Sequence, residues 1–253
     1  MKQWSVAQVQ QAVQEGTCSE EDIQEWEKDP RAGVRKACAA WRKREARAAL
    51  QLEQWQEMCA VENSFARNGF QAVGGVDEVG RGPLAGPVTA ACVILPDNFY
   101  LPGLTDSKQL SDARRREFAG ILYENALVGI GSCSAQEIDE LNIYQASRQA
   151  MVRAVQNLPE KPDALLVDAM NLPLDLPQES LIKGDARSVS IAAASVCAKV
   201  HRDDEMKQFD AEWPDYGFAA HAGYGTKQHL EALETHGVLS IHRKSFTPVK
   251  NCL

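Results

Sequence analysis

Four acids frame the chemistry open to this chain. "VDEVGRG" sets Asp77 beside Glu78, Asp168 closes the apolar run "DALLVD", and Asp185 follows "ESLIKG". Each stands at or just beyond a segment patterned as a strand. Strand ends are where α/β sheets gather their chemistry, and neighbouring strands lie only about 5 Å apart, so acids from adjacent strands can converge. Converging carboxylates repel and cannot all ionise without a compensating cation. Oxygen ligands with no His or Cys beside them select Mg2+ or Mn2+ over zinc. Two such ions about 4 Å apart activate a water and stabilise the departing oxygen in an in-line phosphoryl displacement. The bland alternative makes Asp168 a helix cap and Asp185 a turn residue. Asp203 in "HRDD" is a rival fourth acid, but it falls inside a helix pattern that suits a salt bridge. Four of the five histidines lie between His221 and His242 and are expected to be packed or exposed side chains, not metal ligands.

The glycines that follow the acid pair admit other readings. Gly80-x-Gly82-x-x-x-Gly86 is a loose dinucleotide fingerprint, but that motif opens a helix, whereas Pro83 and Pro87 lead here into the strand-like "VTAACVIL". No Gly-Lys-Ser/Thr follows, so it is not a P-loop. Among basic residues, Lys108, Lys183, Arg243 and Lys244 are candidates for phosphate contact, against the plainer reading of solvated surface cations.

Elements must hold these residues in place. From Gly69 onward, "FQAVGGVDEVG" and "GPVTAACVIL" read as strands joined by a tight Gly/Pro turn, and "NALVGIGSCS" as a third after a helix begun near "SDARRREFAGIL". "SAQEIDELNIYQASRQAMVRAVQNL" has helical spacing, with Ser134 and Glu137 forming a capping box. "DALLVDAM" suits a strand buried on both faces, "ESLIKGD" is a further strand candidate, and "SVSIAAASVCAKVHRDDEMKQF" is a small-residue helix able to lie close on a sheet. Three successive strands, then strands separated by helices, predict a mixed α/β sheet flanked by helices. Residues 1–68 contain no strand-like run. Asp29-Pro30 divides them into two helical stretches, the second carrying Arg35, Lys36, Arg42, Lys43, Arg44 and Arg47 against the single acid Glu45. That stretch is either a solvated face or a basic handrail for nucleic acid. The domain reading is a helical extension over 1–68 and an α/β domain over 69–253.

Composition bounds the rest. At 253 residues, 44% hydrophobic and 25% charged, the chain is ordinary globular material. It has no apolar run near the roughly 20 residues a membrane span needs. Met1 to Gly16 lacks a signal peptide's apolar centre, which points to the cytoplasm. Seven scattered cysteines without C-x-x-C argue for reduced thiols. A net charge of -8 argues against nucleic acid only until the acid cluster is counted, because bound cations would cancel part of it where a substrate lies.

Six blocks in order, "GVDEVGRGPLAGPV", "LTDSKQLS", "LLVDAM", "IKGDARSVSIAAASVCAKV", "GYGTKQHLEAL" and "HRKSFTPV", make residues 69 to 248 resemble the bacterial ribonuclease HII family. The resemblance implies a ribonuclease H-like fold with a five-stranded mixed sheet. It also implies Mn2+- or Mg2+-dependent cleavage of the RNA strand of RNA-DNA hybrids, and of duplex DNA 5′ of single embedded ribonucleotides, leaving 3′-hydroxyl and 5′-phosphate ends. Carried over by motif, Asp77, Glu78, Asp168 and Asp185 match the catalytic, metal-binding acids. Gly80, Arg81 and Gly82 match the element that reads the ribose 2′-hydroxyl, and Tyr224 the tyrosine that stacks at the RNA-to-DNA junction. Ser107, Lys108 and Lys183 fall in the matched blocks as further substrate contacts. The sister family, ribonuclease HIII, has Gly-Lys-Gly in place of Gly80-Arg81-Gly82. One position departs from the pattern: Ala222 stands where lysine is common, so a phosphate contact is either missing or supplied by Lys227 or His221. The expected partners are RNA-DNA hybrid and ribonucleotide-containing duplex DNA, with no membrane, and the expected state is a monomer. A non-catalytic hybrid-binding module would need no acid cluster, and a small-molecule phosphatase would need neither Gly-Arg-Gly nor the tyrosine.

Overall fold

The structure is a computed structural model that describes residues 4–253. Compact packing divides the chain into Met1–Gln54 and Trp55–Leu253. The division falls earlier than the compositional change at residue 68 because Trp55 and Met58 are buried with the second unit's Phe118, Leu122 and Ala193.

The first unit is helical. α1 (Val6–Glu15) opens on a Ser5–Gln8 capping box and ends at Gly16, whose φ of 71° is the left-handed conformation that glycine adopts freely. α2 (Glu20–Trp26) opens on a second box, Ser19 with Asp22. The Asp29-Pro30 break stands as expected before α3 (Ala32–Met58); the break at Gly16 adds a helix that the expected pair of stretches lacked. Val9, Ile23, Trp26, Val34 and Trp41 bury one another in this unit. Two of the six basic residues are consumed locally: Arg42 pairs with Glu20 and Glu27, and Arg44 donates to the Val13 carbonyl.

In the second unit α4 (Ala60–Arg67) precedes a five-stranded sheet. Its strands are β1 (Val73–Val79), β2 (Val88–Ile94), β3 (Leu127–Cys133), β4 (Ala164–Asp168) and β5 (Gln178–Leu181), in the order β3-β2-β1-β4-β5. β1, β2 and β3 pair antiparallel, while β1–β4 and β4–β5 pair parallel. Alternating side chains divide the core by face. On β2, Ala90, Cys92 and Ile94 join one cluster while Ala91 and Val93 join the other.

Helices cover both faces. α5 (Asp112–Asn125) supplies Phe118 and Leu122 to one. The long predicted helix after β3 is split, because Asn142 adopts a φ of 70° and caps the second piece with its side chain. The pieces are α6 (Ala135–Leu141) and α7 (Ile143–Gln156), and α7 packs Ala146, Ala150 and Ala154 on the sheet. α8 (Val189–Glu212) is the small-residue helix, and it approaches β1 so closely that a Cβ on Gly75 would lie 2.1 Å from the Ser190 carbonyl carbon. Glu62 from α4 caps α8, its Oε1 accepting from the Ser190 N–H at 3.0 Å and from the Ser188 and Ser190 hydroxyls. α9 (Phe218–His221) and α10 (Lys227–His236) follow, with the loop bearing Tyr224 between them. No helix among the described residues is long and apolar enough to cross a membrane.

Candidate active site

Three of the four acids meet. Parallel register sets Val76 of β1 against Val167 of β4, so the next residues, Asp77 and Asp168, leave neighbouring strands side by side. One carboxylate oxygen from each of Asp77, Glu78 and Asp168 lies within 4.8 Å of the others. Asp77 is 6% exposed, and its Oδ1 accepts from the Glu78 N–H at 2.8 Å. Asp168 Oδ1 accepts from the Gly184 N–H at 2.7 Å. Arg81 Nη1 donates to Glu78 Oε1 at 3.3 Å, while Glu78 Oε2 is buried without a hydrogen-bond partner among the described residues.

This arrangement fits a divalent cation. Burial pushes Glu78 up to about 7, with the Arg81 guanidinium pulling it down and the Asp168 charge pushing it up. Burial also holds Asp77 well above the carboxylate range, reinforced by the Glu78 and Asp168 charges. Such a cluster is costly as three anions, and an oxygen-ligating cation removes the repulsion while giving the orphaned Glu78 oxygen a partner. A consequence is measurable. The folded, metal-free chain keeps a proton on Glu78 that the unfolded chain releases near pH 4.5, so its stabilisation is complete below that pH and is lost as pH rises through about 7. Metal must displace that proton. Mn2+ is therefore expected to raise the melting temperature more at about pH 8 than near pH 5.5, and an equal shift at both would contradict the buried, protonated carboxylate.

Asp185 stands outside this trio. It lies on a 3-10 turn, Gly184–Ala186, after β5, with its carboxylate 3.8 Å from Lys108 Nζ. Burial, then the nearby Asp106 charge, raises its pKa. It is tied to the trio in two ways: the Asp168 charge also pushes its pKa up, and the Gly184 N–H that holds Asp168 belongs to the same turn. Lys108 and Lys183 are exposed, the latter at a φ of 56°. Ser107 presents little of its side chain to a substrate. It is 5% exposed and its hydroxyl pairs at 2.9 Å with that of Ser195, a side chain that also hydrogen-bonds Asp77. Asp203, as expected of a helix residue, pairs with Lys199 at 2.7 Å.

The Gly-Arg-Gly segment leaves β1 beside the acids. Gly80 is buried at a φ of 90°, where a Cβ would lie 2.2 Å from Arg202 Nε, so no larger residue fits. Arg81 and Gly82 are exposed. A Cβ on Gly82 would touch only the Tyr224 ring, at 3.4 Å, so the second glycine and the tyrosine face each other. Tyr224 is 48% exposed. Its loop is pinned from below: Leu84 N–H donates to the Gly223 carbonyl at 2.8 Å, and His229 Nδ1 meets the Tyr224 carbonyl at 3.0 Å. His242 completes the chain, 3.0 Å from His229 through their Nε2 atoms and accepting the Leu239 N–H on Nδ1. Burial pushes His242 down to about 4, and both His229 and His242 are packed side chains. His221 spends both ring nitrogens on the Tyr216 carbonyl and the Gly223 N–H, while Lys227, 89% exposed at its side chain, pairs with Glu231 at 3.5 Å.

Arg243 corrects a sequence expectation. It is fully buried and bonded to carbonyls, so it is no phosphate contact. Arg202 was not singled out at all. Its signal was a charged residue on the buried stripe Ile191–Ser195–Ala198–Arg202 of α8.

Comparison with known proteins agrees with this geometry. A family model described as Ribonuclease HII matches residues 74–249, and one described as Ribonuclease HII N-terminal domain matches residues 5–66. A curated relative from Bacillus cytotoxicus, "Ribonuclease HII", is 50% identical over 255 residues, covering 100% of this chain and 98% of the relative. Among solved structures, the ribonuclease H2 of Pyrococcus horikoshii OT3 aligns with a TM-score of 0.61 at 24% identity, over 71% of this chain and 96% of that one. Bst-RNase HIII in complex with Mn2+ aligns with a TM-score of 0.58 at 20% identity, over 73% of this chain and 70% of that one. At such identities these two structures speak to the fold.

Proposed function

This chain belongs to the ribonuclease HII family, a divalent-metal-dependent endonuclease acting on RNA-DNA hybrids, and from that premise we propose that it also incises duplex DNA on the 5′ side of a single embedded ribonucleotide. The observation that carries the proposal is exposed Gly82, on the segment continuous with Asp77 and Glu78, facing the exposed Tyr224 ring. Asp77, Glu78 and Asp168 would hold Mn2+ or Mg2+, with Asp185 at the margin, and divalent cations bound there would supply Lewis acidity for phosphodiester hydrolysis. The protein's own residues do the selecting. Gly80 lets the chain turn, and Gly82 leaves no side chain to bar a ribose from the backbone. The 2′-hydroxyl is the group that distinguishes RNA from DNA at one position, so a backbone that bonds it reads one ribose. Tyr224 offers its ring to the deoxyribose beyond the junction, while Lys108, Lys183 and Lys244 offer charge to phosphates. Because β1 bears both the acids and the loop, reading a ribose sets the register of the phosphate to be cut. Matched duplexes with zero, one and four consecutive ribonucleotides test this directly. Cleavage of the one- and four-ribonucleotide duplexes, with none of all-DNA, is the expected result; cleavage of the four-ribonucleotide duplex alone would replace the proposal with a requirement for a ribose tract.

A further inference from the structure

Arg202 and Arg243 are 1% and 0% exposed, and every hydrogen bond they make among the described residues ends on a backbone carbonyl. Burying two cations side by side without a carboxylate costs several kcal/mol per ion before hydrogen bonds offset it. The cost is visible in Arg243, which burial and the neighbouring Arg202 charge pull down to about 9. A fold that only needed to fill this space would do better with apolar side chains, so the carbonyls being held are the point.

Those carbonyls belong to the substrate-facing loops. Arg243 donates to Gly80 O at 2.5 Å, Arg81 O at 2.9 Å, Gly86 O at 3.0 Å and Pro87 O at 3.1 Å. Arg202 shares the Pro87 carbonyl at 3.1 Å and reaches Ala85 O at 3.3 Å and Ala222 O at 3.0 Å. The last contact joins the Gly-Arg-Gly side of the crevice to the Tyr224 side. It also falls on Ala222, which is held at a φ of 49°.

A trans peptide is planar, with its C=O and N–H pointing in opposite directions. Turning the Gly80 and Arg81 carbonyls inward onto Arg243 therefore turns the Arg81 and Gly82 N–H groups outward. Neither N–H has an acceptor among the described residues. We propose that Arg243, seated against Arg202, is a positioning residue for substrate selection: it fixes the orientation of these two peptide planes so that both N–H groups are presented to the ribose and its phosphate. A lysine cannot replace it. One ammonium offers three donors from a single point, whereas the guanidinium spreads five across a rigid plane.

The proposal rests on the single-ribonucleotide reading, and the test separates the two. Wild type and Arg243→Lys are compared on matched duplexes with one and with four ribonucleotides in Mg2+, with thermal melts confirming that the variant is folded. Every register of the tract also needs its ribose read, so the variant is expected to lose at least about tenfold in kcat/KM on both duplexes while Mn2+ still raises its melting temperature as in wild type. Undiminished cleavage of either duplex, or a lost Mn2+ shift, overturns the proposal, since a merely structural defect would disturb the metal-binding acids on β1 as well. Should wild type leave the single ribonucleotide uncut, the incision reading falls, and amide hydrogen exchange decides the positioning role. In Ca2+, which is expected to permit binding without cutting, the four-ribonucleotide duplex should protect the Arg81 and Gly82 amides of wild type and not those of the variant. Equal protection in both overturns the proposal. So do wild-type amides that stay unprotected, whatever the variants do. Arg202→Lys, which loosens the shared Pro87 carbonyl, stands in if Arg243→Lys does not fold, with the same outcomes.

Discussion

Asp168→Asn is expected to abolish cleavage, by about 10³-fold or more, while the protein stays folded and still binds a hybrid duplex. That loss corresponds to roughly 4 kcal/mol of transition-state stabilisation at 1.36 kcal/mol per decade. The asparagine has nearly the same volume, and its amide oxygen can still accept the Gly184 N–H that now reaches Asp168 Oδ1 at 2.7 Å. What it cannot supply is the negative charge that, with Asp77 and Glu78, draws a cation to oxygens lying within 4.8 Å of one another. The same change relieves repulsion on the two remaining carboxylates, both of which the Asp168 charge pushes upward. Without metal, the variant should therefore melt no lower than wild type at about pH 8, and Mn2+ should raise its melting temperature less. Turnover near the wild-type level would refute the assignment of Asp168 to metal binding. A variant that lost activity by unfolding would instead show itself in the melt.

Tyr224→Ala is expected to cost about five- to 150-fold in cleavage at a single embedded ribonucleotide, taking the roughly 1–3 kcal/mol of base–aromatic stacking as the scale for the ring's contact with the deoxyribose. Cleavage within a long hybrid should fall far less, because alternative registers bypass the junction. The fold should tolerate the truncation. The ring is 48% exposed, and the backbone beneath it is held by contacts that do not use the side chain, the Tyr224 N–H to the His221 carbonyl at 2.9 Å and its carbonyl to His229 Nδ1. Equal losses on a single ribonucleotide and a long hybrid would assign Tyr224 to general duplex binding.

Much of this site was legible before any coordinates. Asp77, Glu78 and Asp168 stood at or near the ends of segments patterned as strands, and adjacent parallel strands bring residues in register side by side. The Ser134–Glu137 box was legible for a similar reason: capping is a bond between residues three apart, written in local sequence. Asn142 shows where local reading ran out. Hydrophobic spacing continues through it, and only its left-handed backbone separates α6 from α7.

By itself the sequence determined which residue types meet and which ion they suit: an oxygen-only acid set at strand ends, a Gly-Arg-Gly segment directly after it, and a mixed sheet to carry both. Tertiary structure decided how the loops around that set are held. Ser107 turned inward to Ser195, and Asp185 stood beside Lys108 instead of within the trio. Arg243 left the surface to grip carbonyls at Gly80, Arg81, Gly86 and Pro87, from the far end of the chain. The physical reason is the range of the forces involved. Strand and cap patterns are set by near neighbours, whereas a buried guanidinium is defined by carbonyl directions that exist only once distant segments have packed, and a carbonyl leaves no mark in the identity of the residue that bears it.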